Sequence, residues 1–175
     1  MEYLAISILS ENDNNLISEL VQRAYDCNCN ILETRMTTLG GAFCANILCV
    51  GAWSNLAKLD THLTTLEKKL GLQIIKQRTK LNKFPKDQLP YTVYISAVEE
   101  MGTLQKIITF FSEQAIPIKE LLTESFIGRR TGKLMLTLSM TINLPADMLL
   151  ADLRDRFLLF CDKFNFDGSL EMEKG

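Results

Sequence analysis

The feature that most constrains the fold is an order of predicted elements that occurs twice. Hydrophobic periodicity predicts strand, helix, strand, strand, helix, strand in residues 1–79, and the same order in residues 91–175. Residues 80–90, KLNKFPKDQLP, are polar and basic and contain two prolines, which is typical of a linker. We therefore predict an internal duplication of two modules, 1–79 and 91–175, joined by this linker.

The element order also predicts the fold of each module. A βαββαβ order indicates a ferredoxin-like α+β module, with an antiparallel sheet and both helices on one face. The tripeptides Ile31-x-Glu33 and Ile118-x-Glu120 occupy the same place in the two halves. A module of about 80 residues is only marginally stable alone, and its open sheet face and edges need cover. We therefore expect the two modules to pack together.

The helices of the first half are predicted from their apolar spacing. The first covers Asp13–Asp26, and the second follows an N-cap at Ser54 and ends at Gly71. The residues expected to face the core are Ile17, Leu20, Val21 and Ala24 in the first helix, and Leu56, Leu59, Leu63, Leu66 and Leu70 in the second.

The second half repeats this pattern with more phenylalanine. Its first helix covers residues 102–114, and its second begins at Pro145, where the missing N–H of proline has little cost. The residues expected to face the core are Leu104, Ile107, Ile108 and Phe111, then Leu149, Leu153, Phe157, Phe160 and Phe164.

Composition excludes several classes of protein. A net charge of −2 does not predict a basic nucleic-acid surface, and no apolar run approaches the roughly 20 residues needed to span a membrane. The start MEYLAISIL lacks the basic region and cleavage site of a signal peptide. Five cysteines in apolar contexts favour free buried thiols and a reducing cytoplasm.

No catalytic, cofactor or metal set is predicted. Cys27-x-Cys29 offers two thiolates, but a structural zinc needs four ligands and the chain has one histidine, His62. That histidine stands on an amphipathic helix with no nucleophile pattern near it. GRRTGKL, beginning at Gly128, joins two strands and departs from the phosphate-loop spacing, so it indicates a basic hairpin tip that could still touch an acidic partner or a DNA backbone.

The loop after the first strand carries a family resemblance. It reads ENDNNL from Glu11 to Leu16, and the second strand opens with Asn30-Ile31. Both resemble ACT domains, ferredoxin-like modules that sense amino acids, in which the loop often reads E-N-x-P-G and the second strand often opens with Asn-Ile. The resemblance covers both halves, although Asn14 and Asn15 stand where the family has proline and glycine. Asparagine tolerates the left-handed backbone region, so the turn is compatible with Asn15.

The resemblance implies where a ligand would bind. Asn12 and Asn30 match a pair that binds the amino acid in serine-sensing members, and an amide both donates and accepts hydrogen bonds. A helix beginning near Asp13 would offer free N–H groups to a carboxylate. In the second half Glu99 and Pro117 replace the asparagines, so that copy is expected to be weaker. The full set of predicted ligand-binding positions is Asn12, Asp13, Asn15, Leu16, Asn30, Ile31, Gly102 and Thr103.

The tandem pair further resembles ACT regulators of glycine cleavage genes. This implies a non-catalytic cytoplasmic protein that binds a transcriptional activator, responds to a small amino acid such as glycine, and contacts neither DNA nor membrane directly; it could also form a homo-oligomer. The alternative is an interaction scaffold without a ligand, in which Asn12 and Asp13 only cap the helix. A small enzyme is disfavoured because no acid–base or metal set is present, and direct DNA binding through Arg129, Arg130 and Lys133 is disfavoured by the acidic net charge.

Overall fold

A computed structural model describes residues 1–11, 15–81, 89–129, 131–145 and 148–172. The chain divides into two compact units, Met1–Lys83 and Phe84–Gly175. The predicted positions Asn12 and Asp13, and residues 82–88 of the predicted linker, lie outside the described residues. No helix that the structure describes is both long enough and apolar enough to cross a membrane.

The first unit has the predicted ferredoxin-like βαββαβ order. Its elements are β1 (Glu2–Ser10), α1 (Leu16–Asp26), β2 (Asn30–Leu39), β3 (Ala42–Gly51), α2 (Trp53–Leu70) and β4 (Gln73–Thr79). The strands form one antiparallel sheet in the order β2-β3-β1-β4.

The second unit repeats this arrangement. Its elements are β5 (Leu89–Val98), α3 (Thr103–Ser112), β6 (Ile118–Ile127), β7 (Leu134–Leu144), α4 (Leu150–Phe164) and β8 (Asp167–Met172). The sheet order is β6-β7-β5-β8, again antiparallel. Because β5 begins at Leu89, the last two residues of the predicted linker form part of a strand.

A shared irregularity shows how closely the two units correspond. In the first sheet the register of β2 against β3 shifts between Ile31 and Glu33. In the second sheet the register of β6 against β7 shifts between Ile118 and Glu120. The matching tripeptides of the sequence are therefore matching β-bulges, each of which adds one residue to an edge strand.

Each unit has its own core, formed by its helices and one sheet face. Alternate residues of the two central strands are buried, as the period of two in a half-buried strand requires. The buried helix residues are Leu16, Leu20, Ala24, Leu56, Leu59, Leu63 and Leu66 in the first unit, and Thr103, Ile107, Phe111, Leu153, Phe157 and Cys161 in the second.

Four residues predicted to face the core are instead exposed. Val21, Leu70, Leu104 and Leu149 are 47%, 43%, 36% and 68% exposed. The buried stripes of α1 and α3 step by four residues, from Leu16 and from Thr103. Such a stripe is narrower than the predicted one and leaves residues at its edge in solvent.

Three predicted helix starts are wrong. The helix α1 begins at Leu16, three residues after Asp13. The helix α2 has its N-cap at Ala52, not Ser54, because the Leu56 N–H already donates to the Ala52 carbonyl at 3.1 Å. The final helix begins at Leu150 and not at Pro145, because β7 continues through Leu144, the residue directly before that proline. The predicted end at Gly71 is confirmed, with φ of 66°.

Candidate functional site

The first helix begins at a residue with a left-handed backbone. Asn15 is the N-cap of α1 with φ of 63° and ψ of 3°, and its side chain makes no capping hydrogen bond. Its carbonyl accepts the Glu19 N–H at 2.9 Å, which closes the first helical turn. Leu16 is buried in the core. Asn15 therefore adopts the conformation of a glycine at this turn, and the buried side chain of Leu16 anchors the helix start.

The corresponding turn of the second unit is closed internally. Gly102 is the N-cap of α3 with φ of 89°, and its carbonyl accepts the Lys106 N–H at 3.0 Å. Thr103 is buried, and its hydroxyl accepts the Glu100 N–H at 3.2 Å and donates weakly to the Val98 carbonyl at 3.5 Å. The Thr103 hydroxyl thus serves the turn itself.

The structure places Asn30 and Ile31 far from Asn15. Asn30 is opposite Val50, which is opposite Tyr3 near the start of β1, whereas α1 follows the end of β1. The two asparagines therefore stand at opposite ends of α1, a helix of 11 residues that is about 16 Å long. Asn30 is exposed, and Ile31 is partly buried against the core. One small amino acid cannot contact Asn15 and Asn30 of the same unit.

Charged side chains form a network between α1 and α2. The Glu19 carboxylate accepts from Arg23 at 2.9 Å and has the Lys69 ammonium at 3.8 Å. The hydrogen bond from Arg23 is the main cause that lowers the pKa of Glu19, and burial opposes it. Both cations of this network are therefore paired with the same carboxylate.

The cysteines behave as buried apolar groups. All five are free, and four of them are buried, while Cys44 is half-buried. The Sγ atom of Cys27 lies 3.6 Å from Nδ1 of His62, and the sequence pattern did not indicate this contact. Burial raises the pKa of both Cys27 and Cys29, which disfavours the thiolate that a metal needs. Within the described part of the chain, no three metal-ligating side chains are grouped.

Sequence reasoning missed a cleft in the second unit. It lies between α3 and α4 and is lined by both lysine and phenylalanine side chains. Phe160 and Phe164, predicted to be core residues, are only partly buried there. A sequence signal for the cleft was present: Lys106 and Phe110 are four residues apart, as are Phe160 and Phe164, and this spacing puts each pair on one face of its helix.

A family comparison identifies the first unit. The family model described as the ACT domain matches residues 2–76. Nearly all of the first unit therefore matches the sequence pattern of an ACT domain. The second unit has the same strand order and the same left-handed helix cap, so the chain is a tandem of two ACT-type folds.

Whole-chain comparisons cover both units. The glycine cleavage system transcriptional repressor of Escherichia coli (strain K12) is 22% identical over 170 residues, covering 97% of this chain and 90% of that protein. The same figures hold for the repressor of Shigella flexneri. Among solved structures, one assigned as a glycine cleavage system transcriptional repressor superimposes with a TM-score of 0.71 at 21% identity, over 99% of this chain and 98% of that one. An unknown protein from Galdieria sulphuraria gives 0.78 at 18% identity over 99% of both chains.

Proposed function

We propose that this protein is a non-catalytic regulator of the glycine cleavage repressor type. It would act in the cytoplasm, controlling transcription indirectly by binding a transcription factor, in response to a small amino acid such as glycine. The observation that carries the proposal is the match to the Escherichia coli repressor over 97% of this chain, which includes both units. A shared single module would support only a shared fold, whereas this sequence match runs through both units.

The geometry of the first unit favours a ligand shared between two copies. Asn15 and Asn30 are too far apart for one amino acid to reach both within a unit. A second copy of this chain could place its Asn30 beside the first copy's α1 start. An amino acid bound there would favour the paired state, because a ligand shifts an equilibrium by its difference in affinity between states. The paired state would then differ from the single chain in its contact with the transcription factor.

Calorimetry tests ligand binding directly. We expect the wild-type protein to release or absorb heat with glycine, serine or alanine, and sedimentation to show more dimer when that amino acid is present. Asn30→Ala should abolish the heat, whereas Asn46→Ala, a control at an exposed asparagine of β3, should retain it. Heat that survives Asn30→Ala, or an unchanged sedimentation coefficient, would contradict the shared site.

The second unit favours an alternative, a ligand-free interaction scaffold. The Thr103 hydroxyl is bonded within its own turn. Pro117 stands where the first unit has Asn30, and its carbonyl accepts the N–H of Asn143 in β7. If both units act only as binding surfaces, the wild type should give no heat with any amino acid and should still bind its protein partner.

A further inference from the structure

The cleft between α3 and α4 has the size of a small-molecule site. Its volume is about 470 Å³, within the range of about 300–1,000 Å³ that is typical of ligand pockets. The residues that define its chemistry are Lys106, Phe110, Glu113, Phe160, Lys163 and Phe164.

The floor of the cleft is aromatic. The rings of Phe110 and Phe160 stack at 4.6 Å between centroids, and the ring of Phe164 meets Phe160 edge-on at 5.2 Å. All three are only partly buried. Because these rings already pack against one another, they form a preorganised apolar surface on which a further ring can lie.

Two lysine side chains contact the ring of Phe164 at one end of this floor. The ammonium groups of Lys106 and Lys163 lie 5.1 and 5.3 Å from the centroid of the Phe164 ring. In the described ranges, neither ammonium has a carboxylate within ion-pair distance. Glu113, the C-cap of α3, also lines the cleft, but it follows Lys106 by seven residues, a rise of about 10 Å along the helix axis between their backbones. The end of the cleft at Phe164 therefore carries uncompensated positive charge.

The first unit has an ion pair at the positions that correspond to the two lysines of the cleft. Glu19 and Lys106 correspond, because their N–H groups donate to the helix caps Asn15 and Gly102. Lys69 and Lys163 correspond, because each stands two residues before a left-handed C-cap.

The two units therefore differ in charge at this position. In the first unit the Glu19 carboxylate pairs with the Lys69 ammonium, with 3.8 Å between oxygen and nitrogen. In the second unit a lysine replaces that glutamate, and by the same alignment Phe110 replaces Arg23. Two lysines thus occupy the positions of the Glu19–Lys69 pair, so an anion bound there would supply the negative charge that Glu19 supplies in the first unit.

We propose that this cleft binds a small aromatic carboxylate. The carboxylate lies between Lys106 and Lys163, and the ring lies on Phe110 and Phe160. Charge-assisted hydrogen bonds supply the selectivity for an anion, and the aromatic floor adds affinity only for an anion that carries a ring, so acetate should bind much more weakly. This site is separate from the Asn15 and Asn30 region, so either proposal can fail without the other.

Nuclear magnetic resonance titration of the full chain tests the proposal, with 3-phenylpropionate as the probe. We expect saturable shifts of backbone amides in α3 and α4 at millimolar probe. The neutral isostere 3-phenylpropionamide should bind at least about tenfold more weakly, since it lacks the charge. Acetate should cause no saturable shift.

Variants separate the cleft from a general effect of charge. Lys106→Glu recreates the pairing of the first unit and should weaken binding at least about tenfold, as should Lys163→Gln. Lys133→Glu, at an exposed lysine of the same unit, should leave binding unchanged. A dispersed spectrum confirms that each variant is folded. If Lys106→Glu does not fold, the result for Lys163→Gln decides the test. Absent saturation, equal binding of acid and amide, or unchanged binding in a folded Lys106→Glu or Lys163→Gln variant would overturn the proposal.

Discussion

The Glu19 carboxylate and the Arg23 guanidinium form an ion pair at 2.9 Å on α1. Because this hydrogen bond lowers the pKa of Glu19 in the folded state, the pair should contribute stability above the unfolded pKa of 4.5. That contribution should be lost as pH falls through the lower, folded pKa. Lys69 extends the pair to the neighbouring helix.

Glu19→Gln should therefore reduce the free energy of unfolding at neutral pH by less than about 1 kcal/mol, since the pair lies at the surface. The difference from wild type should disappear as pH falls below the folded pKa of Glu19, because both proteins then lack the charge. Urea unfolding across this pH range measures it, with Glu113→Gln as an exposed control. A difference that grew as pH fell would refute the assignment.

The left-handed caps of α1 and α3 give a second prediction. Gly102→Ala should destabilise the protein by about 1–2 kcal/mol, because an L side chain is strained at φ of 89°. The nearest heavy atom to an added Cβ is 4.0 Å away, so the cost is in the backbone and not in a clash. Gly102→Asn should cost less, following the example of Asn15. Urea midpoints would rank wild type, asparagine and alanine in that order, and equal midpoints for the two variants would contradict this explanation.

Gly168 in β8 is restricted for a different reason. A Cβ there would lie 2.7 Å from the Sγ atom of Cys161 and 2.8 Å from Cζ of Phe157, both on the buried face of α4. Gly168→Ala should therefore cost about 1–3 kcal/mol through overpacking. The double variant Gly168→Ala with Cys161→Ala should recover part of this loss relative to Cys161→Ala alone, because the two sites are coupled. Strict additivity in thermal or urea unfolding would show that no clash occurs.

The cysteines should react in an order set by burial. Burial raises the pKa of Cys49 and of Cys161 to about 11, so very little thiolate is present at neutral pH. We expect N-ethylmaleimide to modify the half-buried Cys44 first in the folded protein. Modification of Cys49 and Cys161 should require unfolding. Mass spectrometry of digests over time measures this order, and early modification of Cys161 would be inconsistent with it.

The tandem fold could be predicted from the sequence because its signals are local and repeated. Apolar and polar residues alternate in β1 and β5, which predicts strands, and apolar residues recur with a helical period in α2, which predicts a helix. The same order of predicted elements in both halves supports each prediction. Ile31-x-Glu33 and Ile118-x-Glu120 even indicated equivalent positions, although the bulge there follows from the pairing of strands, which sequence periodicity does not encode.

Helix starts and side-chain exposure were harder to predict, since they depend on tertiary packing. Ser54 is a good capping residue, but the chain enters α2 directly from β3 through Ala52, whose side chain cannot cap. The cleft of the second unit was missed for a related reason. Phe160 and Phe164 have core-like spacing, and only the packing of α4 against α3 shows that they are partly exposed beside two lysines.

The most direct test of the central proposal, that this protein regulates by docking to a transcription factor, is co-purification of the untagged chain from a lysate of its native cells. Mass spectrometry should identify a transcription factor of the glycine cleavage genes in the complex, in an amount that changes when glycine is added. Recovery of the chain without any transcription factor, both with and without glycine, would contradict the account.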